Sequence, residues 1–343
     1  MRIIIFCSLL ICSLLQGQKG IVIACSDRYV EYLIPSLAYL RWELHCKLPI
    51  QIWYAGDELS DDNKKIIELF YPIECLDIVD FLGPPANQYW GFQIKPLIIQ
   101  TSSFQEVILA DADVYFYKDP STLFKNKHYI ETGAYFFKDQ DILRFPREDY
   151  SHFPKKFTKE STLLIFNDRK RFFRTLIDKP SKYLPYEWRY FWEDEDPTLK
   201  NSATEHFMES GCVAIDKNRH AKGLQNIVQL NLDREITYQY MWGDKETFWI
   251  GLEMAKEPYY VNQTIPYSLH GRFKYNILPK KVKFVHFVEG EMFFQQKHPI
   301  QLGNYPYFAR HINRPLTEKE KEQIQIAHFY KETFTARNLT PKR

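Results

Sequence analysis

Four short apolar runs, separated by segments of helical period, dominate the first 111 residues of this chain and restrict the folds open to it. Each run is rich in β-branched residues, which is typical of a buried strand. The segments between them repeat apolar residues at helical spacing, as Leu33, Leu37 and Leu40 do. Strands that alternate with helices predict an α/β fold with a parallel sheet. The predicted strands are GIVIACSD (20–27), LPIQIWYAGDEL (48–59), IECLDIVDF (73–81) and EVILAD (106–111).

Three helices are predicted between these strands, and two more elements follow later in the chain. Pro35 lies inside the first helix and should kink it. GCVAID (211–216) predicts a further strand. Near the carboxyl terminus, Thr317 and Glu320 have the spacing of a capping box, which predicts a terminal helix packed on the domain. The three early helices are predicted in the segments 27–44, 61–70 and 95–104.

Two carboxylates, Asp111 and Asp113, follow the fourth predicted strand with one small residue between them. Ligands of parallel sheets bind beyond the carboxyl ends of the strands, so this is a candidate site. An Asp-capped turn would be the structural explanation. Glycoside hydrolysis needs two carboxyl groups ~5 to 9 Å apart, usually from different elements, and fits poorly. We favour a divalent cation, which binds carboxylate oxygens and neutralises a departing diphosphate.

Composition limits the partners of the chain. The net charge of +2 over 343 residues gives no reason to expect a nucleic-acid partner. Cys25, Cys46, Cys75 and Cys212 lack the paired spacing of a zinc site, although an oxidising compartment would permit one or two disulfides.

The amino-terminal segment, residues 1–17, contains an apolar run from Ile3 to Leu15. This run is shorter than the roughly 20 residues that span a bilayer, so it predicts a signal peptide, with a short membrane anchor as the alternative. Either interpretation directs the rest of the chain to the secretory pathway, in the lumen of the endoplasmic reticulum or Golgi, or to an extracytoplasmic space.

We expect one catalytic domain over residues 18–315 and a carboxyl-terminal helix and tail over 316–343. An insertion at about 146–203 is dense in aromatic and charged residues, with YLPYEWRYFWEDEDP (183–197) as its extreme. Its aromatic side chains either stack on a sugar or pack onto the domain, and we favour packing because exposed aromatic patches are uncommon.

Several ordered segments together resemble the α-mannosyltransferases of glycosyltransferase family 71, the fungal α-1,3-mannosyltransferase type. The resemblance covers most of residues 20–295 and is weak over 146–205. It implies the GT-A fold, a Rossmann-like nucleotide-sugar transferase fold whose mixed, mostly parallel sheet is flanked by helices. It also implies a retaining transfer from GDP-mannose with Mn²⁺ or Mg²⁺. The segments that carry it include KPLIIQTSSFQEVILADADVYFYKDP (95–120), ETGAYFFKDQ (131–140), ESGCVAIDK (209–217) and WGDKETFWIGLE (242–253).

Roles for individual residues follow from this resemblance. The metal ligands would be Asp111, Asp113 and His286, with His270 as the runner-up for the histidine. Asp244 is the first candidate for a carboxylate near donor and acceptor, and Glu209 and Glu246 are further candidates. The remaining donor-binding candidates are Ala24, Ser26, Arg28, Lys95, Ala112, Ser210 and Gly211.

The predicted function is thus a metal-dependent retaining glycosyltransferase that transfers α-mannose from GDP-mannose to a glycan or glycoprotein. A UDP-hexose donor, as in the glycogenin-like family, is the alternative. A non-catalytic glycan-binding protein with the same fold is a rival of another class. A two-metal phosphodiesterase would need a richer cluster of acidic and histidine residues than we find.

Overall fold

The computed structural model describes most of the predicted catalytic domain. The signal peptide or anchor predicted at 1–17, the ends of the insertion at 146–203, and His270 lie outside the described residues. Among the described helices, none combines the length and the apolar character that crossing a membrane would require. The described ranges are 19–139, 159–192, 207–241, 243–264, 266–269, 283–296 and 316–334.

A seven-stranded mixed sheet forms the centre of the molecule, and a four-stranded antiparallel sheet lies beside it. The strands are β1 Lys19–Ala24, β2 Ile50–Tyr54, β3 Ile73–Asp77, β4 Glu106–Asp111, β5 Val114–Phe116, β6 Ala134–Lys138, β7 Met208–Asp216, β8 Tyr260–Asn262, β9 Tyr267–Leu269, β10 Lys283–Val288 and β11 Glu291–Gln296. The large sheet has the order β3-β2-β1-β4-β7-β6-β8, and the small one β5-β11-β10-β9. Within the large sheet only β7 runs against its neighbours.

Helices cover both faces of the large sheet. The helices of the described residues are α1 Val30–Ala38, α2 Asp61–Glu68, α3 Ile78–Leu82, α4 Ile94–Thr101, α5 Lys127–Thr132, α6 Lys159–Leu176, α7 Ala221–Leu232, α8 Arg234–Thr237, α9 Lys245–Ala255 and α10 Glu318–Thr333. Alternate residues of β1 face opposite sides: Ile21 and Ile23 pack in the cluster that contains α1, whereas Val22 packs in the cluster that contains α4. Both faces of the sheet are therefore buried, which explains the continuous apolar runs of the sequence.

Two predicted elements have different boundaries in the structure. The third predicted strand ends at Asp77, whose side chain accepts a hydrogen bond from Val79 N at 2.9 Å and so begins α3. The first helix, predicted over 27–44, starts with a 3₁₀ turn and passes into a π turn at Tyr39–Glu43, four residues beyond Pro35. The aspartate cap thus sets a local boundary that apolar periodicity does not reveal.

The predicted capping box of the terminal helix is confirmed. Thr317 Oγ1 accepts from Glu320 N at 3.2 Å, and Glu320 Oε2 accepts from Thr317 N at 2.7 Å. The helix packs on the small sheet and on α1, and the ring of Tyr330 lies 5.4 Å from that of Tyr39 in the π turn that follows α1.

The aromatic part of the insertion packs inward where the structure describes it. Trp188 and Phe191 are each 1% exposed, and Trp188 contacts the rings of Phe207 and Trp249. Of the two readings of this segment, packing is therefore correct for these side chains, while Tyr186 is 76% exposed. The four cysteines of the domain are free.

Candidate active site

The carboxyl edge of the large sheet gathers residues from three strands. Parallel strands end at the same edge, so Asp111 at the end of β4 and Asp139 after β6 come together there. β7 runs the other way and therefore begins at this edge. Its register pairs Ala110 with Cys212 and Phe137 with Glu209, which brings Glu209, Ser210 and Gly211 beside the carboxylates.

A cavity of about 320 Å³ opens at this edge. Six of the nine predicted donor-binding residues line it, but Arg28, Ser210 and Gly211 do not. Arg28 is exposed and lies over the ring of Tyr29, with 5.6 Å between the guanidinium carbon and the ring centroid. The lining residues are Ala24, Cys25, Ser26, Tyr29, Trp53, Glu58, Gly91, Phe92, Ile94, Lys95, Asp111, Ala112 and Asp113.

Lys95 joins the metal and catalytic candidates into one network. Its ammonium lies 2.7 Å from Asp111 Oδ1, 3.3 Å from Asp244 Oδ2 and 3.2 Å from Ser210 Oγ. Burial would lower the pKa of Lys95, but the carboxylates of Asp111 and Asp244 outweigh it and raise the pKa. Lys95 therefore stays charged and holds together two carboxylates from distant parts of the chain.

A second network lies next to the first. Lys245 Nζ donates to Asp139 Oδ2 at 2.6 Å and to Glu209 Oε2 at 3.0 Å. The other oxygen of Glu209 accepts from Gly211 N at 2.7 Å and from Gln296 Nε2 at 2.9 Å. Burial alone would raise the pKa of Glu209, but Lys245 dominates and lowers it to about 2. Glu209 is thus an ionised group whose two oxygens are both engaged.

The cavity offers side-chain ligands that suit a divalent cation. Asp111 and Asp113 offer carboxylate oxygens, the ligands that hard cations prefer. Burial and the charge of Asp113 raise the pKa of Asp111 to about 7, although Lys95 opposes the shift. A bound cation would relieve this repulsion, so the two aspartates fit such a site.

His286 is not gathered with this aspartate pair. Its ring stacks on Phe294 at 4.3 Å and meets Phe137 edge-on at 5.8 Å. Burial lowers the pKa of His286 to about 4. Across the described residues, no group of three or more His, Cys, Asp or Glu side chains is arranged to hold a metal ion. The metal role of His286 thus stays a prediction without a geometric contact to support it.

Glu246 lies against α6. It is fully buried, and its Oε1 is 4.0 Å from Nη2 of Arg169. Successive residues of a helix point about 100° apart, so Asp244, Lys245 and Glu246 cannot all face one cavity.

Sequence reasoning did not assign roles to Asp139, Gln296 or Phe92. Asp139 carries the same signal as Asp111, a carboxylate directly after a buried strand, and the segment ETGAYFFKDQ contains it. Gln296 reaches Glu209 only because β11 pairs with β5, beside the aspartate pair. No local pattern identifies such a contact.

The strand order and the carboxylates at the sheet edge are those of the predicted GT-A fold, and this fold places the chain in the class of glycosyltransferases. A family model described as "Mannosyltransferase putative" matches residues 18–302. The chain belongs to this mannosyltransferase family.

Named relatives are fungal. The chain is 29% identical to the "Putative alpha-1,3-mannosyltransferase MNN15" of Candida albicans, with 71% of this chain and 34% of the relative covered. It is 27% identical to the alpha-1,3-mannosyltransferase MNN1 of Saccharomyces cerevisiae, with 70% and 34% covered. The chain therefore spans about a third of the length of these relatives. Among solved structures, core-mannan synthase A of Aspergillus fumigatus in its Mn/GDP form is similar with 13% identity and a TM-score of 0.41, covering 72% of this chain and 73% of that one.

Proposed function

We propose that the chain is a metal-dependent, retaining mannosyltransferase that uses GDP-mannose and a glycan acceptor. The observation that carries the proposal is the cavity lined by Lys95, Asp111 and Asp113 at the carboxyl edge of the sheet, in a member of a mannosyltransferase family. In the reaction the bond between the anomeric carbon and the phosphate oxygen breaks, and its electron pair leaves with GDP. A new bond forms to an acceptor hydroxyl oxygen, whose proton passes to a carboxylate or to the departing phosphate.

Asp111 and Asp113 would hold the divalent cation, Mn²⁺ or Mg²⁺, which neutralises charge on the leaving diphosphate. Ala24 and Ser26 would contact the nucleotide from the end of β1. Lys95 would keep the carboxylates of Asp111 and Asp244 in a fixed relation beside the transferred sugar.

Asp244 is the carboxylate best suited to act near the anomeric carbon. It is 2% exposed and is held by Lys95, which also binds Asp111. Glu209 suits that role less well, because both of its oxygens are engaged and its pKa is low. We therefore assign Glu209 to positioning Gly211 and the start of β7.

The site of action that we propose is the lumen of the secretory pathway, with a glycoprotein or glycan as acceptor. This rests on the apolar run Ile3 to Leu15 and on the names of the relatives as mannosyltransferases.

The test is donor binding by calorimetry with and without Mn²⁺. Asp113→Asn should weaken Mn²⁺-dependent GDP-mannose binding about tenfold or more, since a carboxylate ligand becomes a neutral amide. Asp62→Asn is the matched control, because Asp62 is a surface carboxylate whose side chain is 81% exposed. Undiminished Mn²⁺-dependent binding by the Asp113 variant, or tighter binding of a UDP-hexose by the unmodified chain, would contradict the proposal.

A further inference from the structure

An exposed aromatic ring stands at the mouth of the cavity, and the donor-binding roles assigned above leave it unexplained. Phe92 lines the cavity and yet is 60% exposed. A single exposed ring is ordinary on a protein surface, so the place of Phe92 beside the cavity, and not its exposure alone, points to a ligand.

The ring sits over the catalytic end of the site. A Cβ atom built on Gly243 would lie 3.0 Å from Phe92 Cδ2, so the ring rests directly on the backbone that precedes Asp244. Gly243 has a φ of +66°, a conformation that also favours glycine. The ammonium of Lys95, which pairs with Asp111 and Asp244, lies 5.8 Å from the ring centroid.

The segment that carries Phe92 is braced against the domain. Tyr89 is 4% exposed, and its hydroxyl donates to the carbonyls of Leu82 at 3.1 Å and Gly83 at 2.7 Å. Gln93 is 2% exposed, and its side-chain amide donates to the carbonyl of Gln88. The ring is therefore held in place by its neighbours on both sides in the chain, which favours a preorganised contact over a mobile loop.

We propose that Phe92 is the stacking platform for the acceptor sugar, and this inference rests on the proposed function. Pyranose rings present an apolar C–H face that packs on aromatic side chains, while their hydroxyls stay free for polar contacts. A sugar on Phe92 would bring a hydroxyl group close to Asp244 and to the end of the cavity at Asp111.

The nucleotide base is the competing occupant, and the position of the ring argues against it. The neighbours of Phe92 are Lys95 at the start of α4 and Gly243 just before α9. The residues that follow β1 also line the cavity, and among them Tyr29 offers another ring to a base.

The experiment compares acceptor kinetics with donor affinity. The probes are GDP-mannose with Mn²⁺, and α-linked mannobiose and mannotriose as acceptors. Phe92→Ala should raise the acceptor KM about tenfold, the effect of losing one aromatic stacking contact, and this rise should exceed any change in the donor Kd. Phe92→Tyr, which keeps the ring, should restore most of the acceptor affinity.

Phe329→Ala is the matched control, because Phe329 is 61% exposed but lies on α10 and does not line the cavity. An unchanged acceptor KM in Phe92→Ala would overturn the inference, as would a loss of donor affinity as large as the rise in acceptor KM. Donor binding without transfer to either mannoside would also overturn it. If the unmodified chain binds no nucleotide sugar, the proposed function itself fails, and the two failures are thereby distinguished.

Discussion

Replacement of Lys245 by methionine should destabilise the fold strongly, because it leaves two buried carboxylates without their shared cation. Lys245 Nζ lies 2.6 Å from Asp139 and 3.0 Å from Glu209, and each of these acids is 4% exposed. Methionine keeps the length and most of the apolar contact of the lysine stem, so the change removes mainly the charge.

Two arguments give the same magnitude for the loss in the free energy of unfolding. Removing one partner of a buried ion pair costs about 3–5 kcal/mol, since the other charge remains buried. The pKa of Glu209 falls from 4.5 to about 2 in the folded chain, chiefly through Lys245, and this difference corresponds to about 3 kcal/mol of stability at neutral pH. We therefore expect Lys245→Met to lower the free energy of unfolding by about 3–5 kcal/mol at pH 7.

The pH dependence of the loss has a definite sign. In the unmodified chain, the contribution of Glu209 is complete above its ordinary pKa and is lost as the pH falls toward 2. Without Lys245, burial raises the pKa of Glu209, so the folded state binds a proton more readily than the unfolded state. The variant should then lose stability as the pH rises, and its deficit should be larger at pH 8 than at pH 5.

Urea unfolding at pH 5 and pH 8, followed by tryptophan fluorescence, measures both effects. The control is Lys321→Met, because Lys321 makes an ion pair of the same 2.6 Å length with Glu318, whose side chain is 89% exposed. Exposed pairs contribute at most about 1 kcal/mol. A loss below about 1 kcal/mol for Lys245→Met, or a deficit that is equal at the two pH values, would refute the reasoning.

Two further predictions concern the stability of the fold. Trp188→Ala should lower the free energy of unfolding by about 3–5 kcal/mol, because the side chain is 1% exposed and packs on Trp249; chemical denaturation checks this, and a loss near zero would contradict its place in the core. His220 is fully buried, and burial lowers its pKa to about 4, so the unfolded state binds the proton more readily and stability falls as the pH drops from about 6.5 toward 4. Thermal melts at pH 7 and pH 4.5 should show this acid-induced loss shrinking in His220→Gln, and an unchanged loss would assign the effect to other groups.

The local sequence pattern alone determined most strands and helices of the first 111 residues and the part of the candidate site at the ends of β1 and β4. β-branched runs and helical spacing predict β1, β2 and β4 and the helices between them, because each depends on residues that are close in sequence. The carboxyl ends of parallel strands must share an edge, so the candidacy of Ser26, Asp111 and Asp113 could be derived before any contact was known. The cavity lined by these residues agrees with that derivation.

Tertiary structure alone decided which charged groups meet. The ion pair between Lys245 and Asp139 joins residues 106 positions apart, and the hydrogen bond from Lys95 to Ser210 joins residues 115 apart. Direction within an element matters equally: Glu246 follows Lys245 directly but faces Arg169, because a helix turns its neighbouring side chains apart. Such pairings arise from strand order, register and helix rotation, which depend on the packing of the whole chain. The residue types in a segment therefore indicate what chemistry is available. Only the packing of the sheet and helices determines which of these groups come into contact.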